Sequence, residues 1–121
     1  MPSARILVIE HQAPDLDAIT AQFAKTRHEV VFARDKAEGL AMARRGNLHL
    51  VLCALSAPSS GVEVFLTLRT DKAFDGVPIV AVTKFSSLED RNHLRALGFS
   101  GVIPKPLSTD FISQVEGFLA V

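Results

Sequence analysis

Apolar positions along the chain come in short runs rich in Val, Ile and Leu, at Ile6–Ile9, Val30–Phe32, Leu50–Cys53, Ile79–Val82 and Val102–Ile103. A stretch of helical period follows each run, so the pattern predicts five βα units. The first helical stretch has Pro14 in its first turn and then Leu16, Ile19, Thr20 and Phe23, the i, i+3, i+4, i+7 stripe of an amphipathic helix. Asp35 with Glu38 reads as a capping box for the second helix, and Gly46-Asn47 stops it. Pro58-Ser59-Ser60-Gly61 is turn chemistry before a helix carrying Val62, Phe65, Leu66 and Leu68, with Ser59 or Ser60 as its cap. Ser86 with Glu89 boxes the fourth helix and Gly98 ends it. Ser108 caps a fifth, with Phe111, Ile112, Val115, Phe118 and Leu119 on one side.

Strands apolar on both faces belong to a parallel sheet covered by helices on each side, because only there is every side chain removed from water. The expected fold is therefore an α/β domain: a five-stranded parallel sheet in the order 2-1-3-4-5, doubly wound with five helices, of the flavodoxin-like kind. Pro104 at the end of the fifth run suits an edge, since proline cannot donate to a ladder. With 121 residues and 48% hydrophobic content, the chain reads as one domain over 1–121. No apolar run approaches the roughly 20 residues that cross a bilayer, so neither membrane span nor signal peptide is expected. Thirteen basic residues balance thirteen acidic ones, which leaves no broad basic field for nucleic acid. The single cysteine, Cys53, lies inside an apolar run, which suits a packing role and a reducing, cytoplasmic location.

In doubly wound sheets the chemistry sits at the carboxyl ends of the strands. Those ends here are Glu10-His11, Ala54-Leu55-Ser56, Thr83-Lys84 and Lys105-Pro106. Taken with Ile6–His11, Leu50–Pro58, Gly61–Val64 and Val77–Thr83, they make nearly the whole chain resemble the receiver domains of two-component response regulators. The resemblance implies phosphoryl transfer from a histidine kinase to an aspartate ending the third strand, with Mg²⁺ held by that aspartate, an acid after the first strand and a backbone carbonyl. It also implies a Ser/Thr and a Lys that contact the phosphoryl oxygens, a cis peptide before Pro106, and a switch residue at Val102, where receivers carry an aromatic.

The chain departs from the pattern where the chemistry lies. Ala54 stands at the acceptor position and His11 at the second acid, whereas Glu10, Thr83 and Lys105 are kept. Alanine has no nucleophile, so no acyl phosphate forms there. Two lost carboxylates and a gained imidazole argue against Mg²⁺, and no cofactor is expected. Lys105, deprived of its aspartate, is expected to pair with Glu10, with His11 alongside. A transition-metal site at Glu10, His11 and Cys53 is disfavoured because Cys53 and Ala54 point to opposite faces. His28 and His49 fall at strand starts, away from the cleft. Ser56, Ser59 and Ser60 are read as turn and capping residues before they are read as substitute acceptors. Glu10–Pro14 lacks the glycine and hydroxyls of a flavin-phosphate loop, and no nucleophile, base and oxyanion donor assemble, so an enzyme is not expected.

The expected function is a phosphorylation-independent docking module, a degenerate receiver that works by protein–protein interaction. Its partners would be a histidine kinase, another response regulator, an output domain or a second copy meeting through helix 4, strand 5 and helix 5. Arg91 and Arg95, one turn apart beside Val102, mark that face. Two other readings are a receptor for a small anionic signal such as a nucleotide second messenger, and a receiver phosphorylated at a non-standard residue.

Overall fold

The computed structural model describes residues 3–56 and 60–119, the side chains of residues 60–62, 64 and 73 excepted. The elements are β1 (Arg5–Ile9), α1 (Ala13–Phe23), β2 (Glu29–Ala33), α2 (Lys36–Ala43), β3 (Leu50–Ala54), α3 (Ser60–Arg69), β4 (Ile79–Thr83), α4 (Leu88–Leu97), β5 (Gly101–Pro104) and α5 (Phe111–Leu119), with one 3₁₀ turn at Lys72–Phe74. All strands run parallel in the order β2-β1-β3-β4-β5. The fold is the one the hydrophobic pattern predicts.

Side-chain alternation divides each strand between two layers. Leu7, Ile9, Val51, Cys53, Ile79, Ala81 and Val102 pack with Phe65, Leu68 and Leu94 beneath α2, α3 and α4. Ile6, Val8, Leu50, Leu52, Val80, Val82 and Ile103 pack with Ile19, Phe23, Phe111 and Val115 beneath α1 and α5. Burial on both faces is why these strands read as continuous apolar runs. The start of β1 is held from both sides: His28 Nδ1 accepts the Ala4 N–H at 3.0 Å and His49 Nδ1 accepts that of Arg5 at 2.9 Å. Both histidines thus lie at strand starts and serve the sheet.

Local signals decide where the helices begin and end. Asp35 accepts the Glu38 N–H at 2.8 Å, but Glu38 Oε1 accepts in return from Arg34 N–H rather than from that of the cap itself. The box on α4 is one residue later than the sequence suggests: Ser87 accepts from Asp90 N, and Asp90 accepts from Ser87 N. Ser86 and Glu89 have the same spacing, but the Ser86 carbonyl is taken by Arg91 Nε at 2.9 Å. Ser108 likewise sits before its helix. It accepts from Asp110 N, while the first helical bond runs from Gln114 N to Asp110 O. The proposed cap at Ser59 or Ser60 lies outside the described residues and side chains.

Pro104 has a clear geometric role. Lys105 N donates to Thr83 O of β4 at 2.9 Å, so strand alternation turns the nitrogen of residue 104 to the open side of the sheet. Proline removes an unpaired donor from that edge, a known defence against strand addition.

Candidate functional site

The cleft lies at the carboxyl ends of β1, β3, β4 and β5. Glu10 follows β1 directly; its backbone N–H donates to Ala33 O of β2, and its side chain is 1% exposed. Such a carboxylate needs donors, and it has two: Gln12 N–H to Oε1 at 3.1 Å and Lys105 Nζ to Oε2 at 2.8 Å. Lys105 also donates to Asp15 Oδ2 at 2.9 Å. The ammonium is thus clasped between two carboxylates, one buried and one at the mouth. Burial alone would lower the Lys105 pKa, but hydrogen bonds and charge from Glu10 and Asp15 outweigh it and hold the group above the usual lysine value.

The Glu10–Lys105 pair is the one expected from the sequence. Asp15 is new. Listing strand ends could not find it, because it lies in the first turn of α1, the helix whose start follows β1. Its local sign is an acid beside Pro14 in the first turn of α1, which does not by itself say where the side chain points.

The other expected residues divide into those at the cleft and those away from it. Ala54, Ser56 and His11 line a cavity of about 660 Å³ together with Glu10 and Cys53. His11 is mostly exposed, and its Nδ1 stands 4.0 Å from Glu10 Oε1, too far for a hydrogen bond. It is not a member of the lysine network. Thr83 is buried, and its Oγ1 accepts the Phe85 N–H at 3.1 Å, fastening the loop that leads to α4. The Lys105-Pro106 peptide is cis. Val102 is packed into the α4 side of the core. Cys53 lies in the same core, its thiol pushed up to about 12 by burial and by the charge of Glu10, so it is protonated and unreactive near neutral pH. Among the described residues no three His, Cys, Asp or Glu side chains are grouped to hold a metal.

Arg91 and Arg95 lie on α4 as expected, but in different states. Arg91 is half-buried: its Nε donates to Ser86 O, and its Nη1 reaches to 3.5 Å from Val102 O on β5. Arg95 is exposed and has no hydrogen-bond or ion-pair partner among the described residues.

An open five-stranded parallel sheet with a buried acid after β1 bonded to a lysine after β5, and with a threonine ending β4, defines a doubly wound α/β domain with its site at the strand ends. The response regulator receiver domain family matches residues 6–115, and the chain belongs to that family. It is a signalling module of a switch-like family rather than an enzyme. The polar-differentiation response regulator DivK of Brucella ovis is 27% identical over 116 residues, covering 94% of each chain. The receiver domain of sensor histidine kinase PA1611 from Pseudomonas aeruginosa PAO1 superposes with a TM-score of 0.82 at 19% identity, over 99% of this chain and 100% of that one. A chain of the Saccharomyces cerevisiae co-crystal of phosphotransfer protein Ypd1 with the receiver domain of Ssk1 superposes at 0.78 and 22% identity, over 94% of this chain and 86% of that one. No helix among the described residues is long and apolar enough to cross a membrane.

The PA1611 structure has a magnesium ion coordinated in its active-site cleft, which corrects the expectation that no cofactor belongs here. Positions 10, 11 and 54 alone offer one carboxylate, and Asp15 adds a second. With Asp15 counted, the cleft has two carboxylates, donors of the hard oxygen type that Mg²⁺ takes. Glu10 and Asp15 are the residues that would hold the ion, with Lys105 as the competing cation. When bound, the ion supplies neutralising charge.

Proposed function

We propose that residues 1–121 form a single receiver domain that signals by docking rather than by accepting a phosphoryl group, a pseudo-receiver. The observation that carries this reading is the pairing at the cleft. The end of β3 presents the methyl group of Ala54, and Lys105, the residue that would read a phosphoryl group, is already held by Glu10 and Asp15. A methyl group cannot attack phosphorus, whatever ion stands beside it. Val102 brings no aromatic rotor to β5, so the domain holds one conformation and its signal is occupancy. The partner class is a kinase, a phosphotransfer protein or another signalling protein. The Ypd1–Ssk1 co-crystal offers a precedent for such a complex in a domain of the same fold. The face formed by α4, β5 and α5, marked by Arg91, Arg95 and Val102, is the docking surface.

The deciding experiment is incubation with acetyl phosphate and Mg²⁺, and separately with a phosphorylated histidine phosphotransfer protein, followed by intact mass. The wild-type chain keeps its mass. A phosphoryl adduct on Ser56 or any other side chain overturns the reading.

A further inference from the structure

Resting on that docking face, we infer that its groove takes an extended acidic segment of a partner protein. Between α4 and α5, along the open edge of β5, the surface sinks into a groove of about 890 Å³ walled by Arg69, Arg91 and Arg95, with Pro78, Val102 and Phe118 among its apolar lining. Among the described residues no carboxylate lines it, in a chain whose charges otherwise balance. Arg5, Arg34 and Arg44 elsewhere each have an acidic partner. The groove arginines have none among the described residues. Arg69 donates to Phe74 O and Val77 O at 2.6 and 3.1 Å and lies over the Phe65 ring, while Arg91 is tied to Ser86 O. Backbone carbonyls fix these two side chains without cancelling their charge, which lowers the ordering cost of binding an anion.

The arrangement favours a strand over a compact anion. Arg91 and Arg95 are about 6 Å apart along α4 by helical rise. Carboxylates at i and i+2 of an extended chain repeat at about 6.7 Å, which matches that spacing. From Pro78 to the level of Ile103, opposite Val82, the groove follows the strand direction for about 13 Å, the length of some four extended residues. Arg69 stands toward the Pro78 end, so the charge is laid out along a line rather than gathered at a point. A second copy docking about a two-fold axis would bring the same arginines to face one another.

The test uses the intact chain and a fluorescein-labelled peptide of alternating Glu and Leu, with a Lys–Leu peptide of equal length and a tri-anionic nucleotide as comparators. Fluorescence anisotropy should give saturable binding of the acidic peptide only, weakened about fivefold to tenfold by Arg95→Glu and by raised salt. Arg95 holds no other group, so that variant folds, and Arg95→Gln should fall between the two. Amide shifts on titration should follow residues 77, 91, 95 and 102. Equal binding of both peptides, tighter binding of the nucleotide, no effect of Arg95→Glu, or concentration-dependent dimerisation abolished by Arg95→Glu overturns the inference. A phosphoryl adduct in the mass experiment would sink the docking reading while leaving this titration untouched, so the two failures are distinguishable.

Discussion

Replacing Lys105 by Met removes the one cation facing a carboxylate that is 1% exposed. Glu10 keeps the Gln12 N–H, but a single amide does not replace an ammonium at 2.8 Å. Breaking a buried pair by deleting one partner costs about 3–5 kcal/mol, because the remaining charge is stranded. The Lys105 side chain is 18% exposed and water can reach the vacated space, so the lower end applies, about 3 kcal/mol. The Asp15 arm adds less than about 1 kcal/mol, since that carboxylate is 35% exposed and screened. Urea unfolding should show the loss as a lower midpoint at unchanged slope, and for 121 residues the melting temperature should fall by about 12 °C. The diagnostic step is a double-mutant cycle. In a Glu10→Gln background no charge is stranded, so the same Lys105→Met change should cost little, leaving a coupling of about 2 kcal/mol. A loss matching that of an exposed lysine such as Lys84, or an equal loss in both backgrounds, would refute the claim that Lys105 is a structural counter-ion.

Four further outcomes follow from the structure. Ala54→Asp places a third carboxylate at the cleft; it should draw Lys105 from Glu10 and gain a phosphoryl mass from acetyl phosphate with Mg²⁺, while the wild type gains none. Because the Lys105 pKa lies above its ordinary 10.5 in the folded chain, the stability it confers is complete below about pH 10 and lost as pH rises through the folded value; the wild type should lose its advantage over Lys105→Met in unfolding scans across that window. Gly98→Ala sets a side chain at φ +122° with its Cβ overlapping the Phe65 ring and should cost about 3 kcal/mol by urea unfolding. Gly46→Ala, at φ +91° in open space, should cost about 1 kcal/mol.

The sheet was legible because each strand is buried on both faces, so a run such as Leu50–Cys53 has no polar position to obscure it. Two of its strand ends were legible for the same reason: the first polar residues after their runs, Glu10 and Lys105, are the ones that pair at the cleft. Alternation alone put Cys53 in the core beneath α3 and α4. What could not be read depended on helix docking. Asp15 reaches Lys105 only because α1 returns across β1, 90 residues away in sequence from its partner. The two serines before α4 each have an acid three residues on, and the choice between them fell to a contact from Arg91 that no local pattern shows. The same contact makes Arg91 partly structural, which its spacing from Arg95 does not reveal. Asp15 also bears on Mg²⁺, because it adds a second carboxylate that positions 10, 11 and 54 do not reveal.

Along the chain, Thr83 and the loop to α4 lead from the end of β4 to the helix whose Arg91 and Arg95 wall the groove, a route from one site toward the other. On the docking reading this route has nothing to transmit. Lys105 already has both its anions, the Thr83 hydroxyl is engaged by Phe85 N–H, and Val102 is packed beneath α4. A ligand shifts a two-state equilibrium only by its differential affinity for the states, and a chain held in one state has no second population to draw on. The carbonyl contacts of Arg91 join the loop before α4 to β5 beside the groove. On that reading partner affinity at the groove is set by fixed charge and salt, and the domain would report whether its partner is present rather than whether a kinase has fired.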